Sequence, residues 1–65
     1  MDLSRSEIEE LIDQWILNER NRRILRRRLI DGIQFEKLSE EFDLSVTQTK
    51  NIVYNGRRKI LQHKK

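Results

Sequence analysis

The 65 residues predict an all-α protein: a four-helix domain whose last two helices are joined by a tight turn. Three observations predict it. Proline is absent and glycine occurs only twice, which favours helix and leaves little for hairpins. Apolar residues recur at helical spacing in four separate stretches. Ser4, Asn18 and Ser45 stand before three of those stretches as residues able to cap a helix N-terminus. The length fits a single domain over 1–65, with helices at about 4–17, 19–30, 35–42 and 46–62. A domain of this size buries only about 60% of the surface its unfolded chain exposes, so its stability depends on well-made helices or on a partner.

Ser4 opens the first helix and Glu7 completes a capping box, in which hydroxyl and carboxylate each satisfy an orphan backbone N–H. Leu3 and Ile8 occupy the staple positions. Ile8, Leu11, Ile12, Trp15 and Ile16 form one apolar stripe, which assigns Trp15 to the core, and the opposite face is acidic. Asn18 caps the second helix, where Arg20, Arg22, Arg23, Arg26, Arg27 and Arg28 crowd nine residues around Ile24, Leu25 and Leu29. Arg28 projects between Ile24 and Leu25, so its stem is expected to be partly buried and its guanidinium to meet Glu36, Glu40 or a phosphate. Asp31-Gly32 ends this helix, with Gly32 free to take the left-handed conformation.

The third helix is short, with Phe35, Leu38 and Phe42 inward, Ser39 as a small neighbour and Gln34 as a poor cap. Asp43-Leu44-Ser45 makes the turn, and Ser45 with Gln48 forms a second capping box. On the fourth helix Thr49, Ile52, Val53, Gly56 and Ile60 share an inner face; Thr47, Lys50, Asn51, Tyr54 and Arg58 cluster opposite. Gly56 costs about 1 kcal/mol relative to alanine inside a helix. Either a close helix contact requires it, or Asn55-Gly56 kinks or ends the helix there.

Several function classes are disfavoured. The chain has no cysteine, so disulfides, thiolate metal sites and cysteine catalysis are absent, and His63 stands alone. No metal or other cofactor is expected. No apolar run is long enough for a signal peptide or a membrane span, and the expected location is cytoplasmic. Glu40 and Glu41 are neighbours on a helix surface and do not converge as an acid/base pair. Glu36 and Glu40 share a face, but nearby arginines account for them, and no phosphate-cradling glycine loop exists, so an enzyme is not expected.

The net charge of +3 hides an asymmetry. Residues 1–19 set Arg5 against Asp2, Glu7, Glu9, Glu10, Asp13 and Glu19, a net of −5, while residues 20–65 set thirteen Lys and Arg against five acids, a net of +8. From Ser45 onward there are six Lys and Arg and no acid. A basic body of this kind favours a polyanionic partner. The unit from Gln34 to Leu61, a short amphipathic helix, a tight turn and a longer basic helix, has the arrangement of a C-terminal helix-turn-helix that sets its second helix in the DNA major groove.

These residues resemble the fourth conserved region of bacterial RNA polymerase sigma factors. The resemblance lies in ERNRRILRRRLIDGIQFEKLSEEFDLSVTQTKNIV with the trailing GRRKIL, from Asn18 to Leu61, about two thirds of the chain. It implies a DNA-reading helix-turn-helix that also touches polymerase. Matched position by position, it implies base readers and nearby phosphate contacts at Val46, Thr47, Gln48, Lys50 and Asn51, and further phosphate contacts at Arg20, Arg28 and the Gln34-Phe35 helix start. Val46 and Thr47 replace a charged pair common there, so the family's promoter specificity is not implied; no other sigma region is present, so neither is promoter melting.

Side-chain chemistry supports the same assignment. Asn51 can bond an adenine edge in a bidentate way, and so can Gln48 if it faces the groove; Lys50 suits guanine or phosphate, and Thr47 a base edge or a thymine methyl. Tyr54, Arg57, Arg58, Lys59, Lys64 and Lys65 suit the phosphate backbone. The expected function is sequence-specific binding of double-stranded DNA in transcription regulation, with RNA polymerase, a second copy of the chain or a second DNA-bound protein as helper. Two alternatives stay open: a protein-interaction module docking on polymerase or another regulator, and a phage DNA-packaging or architectural protein.

Overall fold

A computed structural model of the chain describes residues 3–63. Four helices run in order: α1 (Arg5–Trp15), α2 (Glu19–Leu29), α3 (Phe35–Glu41) and α4 (Val46–Gln62). Among the described residues there is no strand. The fold is all-α with four helices, as the apolar spacing predicts.

The caps explain where the helices begin. Ser4 Oγ accepts from Glu7 N–H at 3.2 Å and Ser4 N–H donates to Glu7 Oε1 at 3.3 Å, so both halves of the first capping box form. Asn18 Oδ1 accepts from Asn21 N–H at 3.1 Å. Ser45 and Gln48 repeat the two-way box, both bonds at 3.0 Å. Gln34 makes no side-chain cap bond, and α3 is the shortest helix.

Helix ends follow a different logic. α1 stops at Trp15, two residues before the expected end, because Ile16 turns to extended backbone (φ −106°, ψ 104°) and lets Asn18 start the next helix. After α2, Gly32 takes φ +69°. After α3, Asp43 takes φ +56°, while Leu44 N–H bonds Ser39 C=O at 2.8 Å and Asp43 N–H bonds Glu40 C=O at 3.3 Å. That pair of bonds is a Schellman closure, with aspartate where glycine is usual.

The core joins all four helices. Ile12, Ile24, Leu25, Leu38 and Ile60 are fully buried, and Ile8, Leu11, Ile16 and Val53 nearly so. Phe35, Phe42, Leu29 and Ile52 are only partly buried against this cluster. The two buried hydroxyls bond backbone carbonyls: Ser39 Oγ to Glu36 C=O at 2.7 Å, Thr49 Oγ1 to Ser45 C=O at 2.9 Å. Trp15 departs from the core assignment. It is 40% exposed and stacks on His63, with ring centroids 3.5 Å apart and planes 6° from parallel. It stands at the last residue of α1, where the helix no longer lies over the core, so the stripe ends with Ile16 instead.

Gly56 has a definite cause. α4 continues through it without a break to Gln62. A Cβ placed there would sit 2.4 Å from Leu25 Cδ1 and 2.8 Å from Leu25 Cδ2. The glycine lets α4 lie directly on α2, so the close-contact explanation holds and the kink does not.

Candidate nucleic-acid interface

The capping box at Ser45 starts α4 at Val46, and burial of Thr49, Val53, Gly56 and Ile60 fixes its rotation. With that face inward, Thr47, Lys50, Asn51, Tyr54 and Arg58 point outward together, and all five are exposed. Arg57 is also exposed and Val46 half-buried. No ion pair among the described residues involves Lys50, Arg57 or Arg58.

Three helices meet on one aromatic ring beside this face. The Arg28 guanidinium from the last turn of α2 lies 4.3 Å over the Phe35 ring centroid. Lys50 Nζ from α4 lies 5.8 Å from the same centroid. Tyr54 meets Phe35 edge-on, with centroids 6.0 Å apart and planes at 71°. A shallow cleft bounded by Arg28, Gly32, Phe35, Tyr54 and Arg57 continues the surface. Cations over an aromatic face are held by the ring quadrupole, and aromatic pairs favour this edge-to-face geometry. The structure therefore brings Arg28, Lys50, Tyr54 and Arg57 together around Phe35.

Phe35 packs against the core, as its spacing with Leu38 and Phe42 predicts, but only in part: the ring is half-buried and serves as the platform for Arg28 and Tyr54. Nothing in the local pattern separates a core phenylalanine from one at the rim. Gln34, beside it, is exposed at the start of α3.

Arg28 also corrects an expectation. Its stem is half-buried as projected, but its partner is neither Glu36 nor Glu40: Nη1 donates to Ile33 C=O at 3.1 Å. The acids are used otherwise. Arg27 bonds Glu41 at 3.1 Å and Asp31 at 3.4 Å, and the hydrogen bond and charge of Glu41, then Asp31, raise its pKa above the ordinary value. Arg22 donates to the carbonyls of Asp13, at 2.8 Å, and Ile16. Arg26 pairs with the Asp13 carboxylate. Arg20 is exposed, bonds Asn21 Oδ1 at 3.4 Å, and stands about 12 Å along the α2 axis from Arg28, outside the cluster.

Gln48 is exposed, but its side chain is partly occupied. Oε1 accepts Ser45 N–H at 3.0 Å in the capping box, which ties the amide to the start of the helix. Lys64 and Lys65, expected to meet phosphates, lie outside the described residues.

Among the described residues, no group of three or more His, Cys, Asp or Glu could hold a metal ion, and no helix is long and apolar enough to cross a membrane. No family model, curated protein or solved structure matches the chain.

Proposed function

We propose that this chain binds double-stranded DNA sequence-specifically, with α3, the Asp43–Ser45 turn and α4 acting as a helix-turn-helix like that of sigma region four, and that it regulates transcription. The observation that carries this reading is the outward face of α4. It presents Thr47, Lys50, Asn51, Tyr54 and Arg58 side by side, without an acid anywhere on the helix, next to Arg28 on its aromatic platform. A major groove about 12 Å wide admits one helix. In that pose the first turns of α4 meet base edges through Val46, Thr47, Gln48, Lys50 and Asn51. Arg28, Gln34, Tyr54, Arg57 and Arg58 flank them toward the phosphates, and Arg20 contributes at the outer margin. The expected location is the cytoplasm, where DNA and RNA polymerase are found together.

One recognition helix covers few base pairs, so a second copy or RNA polymerase is the expected helper. The experiment is fluorescence anisotropy of a labelled random duplex pool at 50 and 200 mM salt, with bound sequences recovered. Contact with about five phosphates gives an affinity loss on the order of 10²–10³ between those salts. Such a loss with an enriched motif supports the reading. Steep loss without a motif replaces it with an architectural role. Absence of binding at low salt overturns it and transfers the function to protein docking, for which the exposed Trp15 and Leu17 at the end of the acidic α1 are the candidate surface.

A further inference from the structure

We infer that two copies of this chain pair through a two-fold contact in which Leu17 of each copy enters a groove on the other. The surface lies at the α1–α2 junction, against one flank of α4. Ile16, Leu17 and Asn18 join the two helices in irregular backbone. Ile16 is buried, while Trp15 before it is 40% exposed and Leu17 after it 82%. Trp15 stacks on His63. Leu17 is left as the apolar side chain with no seat in its own chain. A lone exposed leucine is ordinary on a protein surface. This one stands at the rim of an open groove of about 300 Å³, whose inner lining is Ile16, Leu25, Ile52 and Gly56.

A two-fold contact needs one patch to carry both halves of every interaction. This patch carries an apolar knob beside an apolar groove. It also carries both charges: Glu19 lies two residues past Leu17, and Lys59 stands on the groove wall. Both are exposed, and neither forms an ion pair among the described residues. Asn55, on the same wall, is an exposed amide, with the donor and the acceptor that a second amide needs. An unrelated partner would use the groove or the leucine; a second copy uses both at once and sets Glu19 against Lys59 at each end. Ile52, Asn55, Gly56 and Lys59 lie on a flank of α4 centred roughly 135° from its outward face. Pairing there leaves both outward faces open. The proposal rests on the DNA-binding reading for its use, which is to join two recognition helices on one duplex. The association itself is a property of the free chain.

The experiment is sedimentation equilibrium of the full chain without DNA, from about 5 to 500 µM at about 150 mM salt, which screens the net charge of +3 on each copy. The expected result is a monomer–dimer equilibrium with a dissociation constant of about 10–100 µM, at the weak end for a contact of few side chains. Leu17→Gln removes the knob at both ends and should weaken dimerisation about tenfold or more. Leu17 is exposed, so circular dichroism should show unchanged helix content. Charge exchange then identifies the partner. Glu19→Lys and Lys59→Glu each set like charges together at both ends of their own homodimer and should weaken it about tenfold. Mixed in equal amounts, the two variants form a heterodimer in which both opposite-charge pairs are restored, and it should associate as tightly as the wild type. A wild-type chain that stays monomeric at the highest concentration overturns the inference. So does a Leu17→Gln dimer of wild-type affinity, or a mixture that associates no more tightly than its components. None of these outcomes touches duplex binding, which the anisotropy experiment reads separately.

Discussion

Helices α2 and α4 hold most of the positive charge, yet they use it in opposite ways. In α2 the arginines mainly hold the protein together: Arg22 and Arg26 clamp the end of α1, Arg27 ties α2 to Glu41 at the end of α3, and Arg28 secures the loop through Ile33. In α4, Lys50, Arg57 and Arg58 have no acidic partner among the described residues. The difference lies in which side of each helix carries the charge. The arginines of α2 reach the acids and open carbonyls of α1 and α3, and Arg22 in particular meets carbonyls at a helix C-terminus, where a cation is favoured. α4 packs on the same two helices through its buried face, and Lys50, Arg57 and Arg58 stand on its exposed side, with no acid on the helix itself. A count of arginines therefore does not separate charge spent inside the fold from charge left for a partner; under the proposed reading, the unpaired cations of α4 are the ones that meet DNA.

Five substitutions test this contrast, beginning with the contact that joins the two helices. Leu25→Ala should cost about 2–5 kcal/mol in urea denaturation, because Leu25 is fully buried against Gly56. Gly56→Ala should cost about 1 kcal/mol, since Leu25 must move to admit the methyl and that displacement is set against the roughly 1 kcal/mol helix gain. The double variant should lose less than the sum of the two, as the smaller residue at 25 makes room for the methyl. Additive losses would mean that the helices do not meet there.

Lys50→Ala should weaken duplex binding about tenfold, equivalent to about 1.4 kcal/mol, with little change in melting temperature. Arg22→Ala should do the reverse. Loss of its two carbonyl bonds should lower stability by about 1 kcal/mol, with DNA affinity unchanged at matched salt. A drop in affinity for Arg22→Ala in a fully folded protein would erase the distinction between the helices. The smallest effect concerns the turn that presents α4. Asp43→Gly should stabilise the fold by a few tenths of a kcal/mol, as glycine adopts φ +56° without strain but loses more entropy on folding.

Much of the architecture was legible in the residue order. The caps at Ser4, Asn18 and Ser45, the inner face of α4 and the left-handed Gly32 all follow from local rules, because a cap or a stripe needs only neighbours within one or two turns. The outward cluster on α4 was legible for the same reason: once one face is buried, the opposite one is known. Asp43 in the left-handed region was not, since several residue types tolerate that position and the Schellman bonds that select it span the turn.

The choice of partners belonged to the tertiary structure. Spacing within α2 could place Arg28 near a buried face and offer it Glu36, Glu40 or a phosphate, but could not show the bond it makes to the carbonyl of Ile33. Nor could it tell the core role of Phe35 from its role as a platform, or show that Trp15 lies outside the core against His63. The two explanations of Gly56 were equal until Leu25 came to rest against it. Helix formation depends on contacts a few residues apart, which the order of residues contains. Partner choice depends on how whole helices are turned and set against one another, and that is decided only when the four of them close around a shared core.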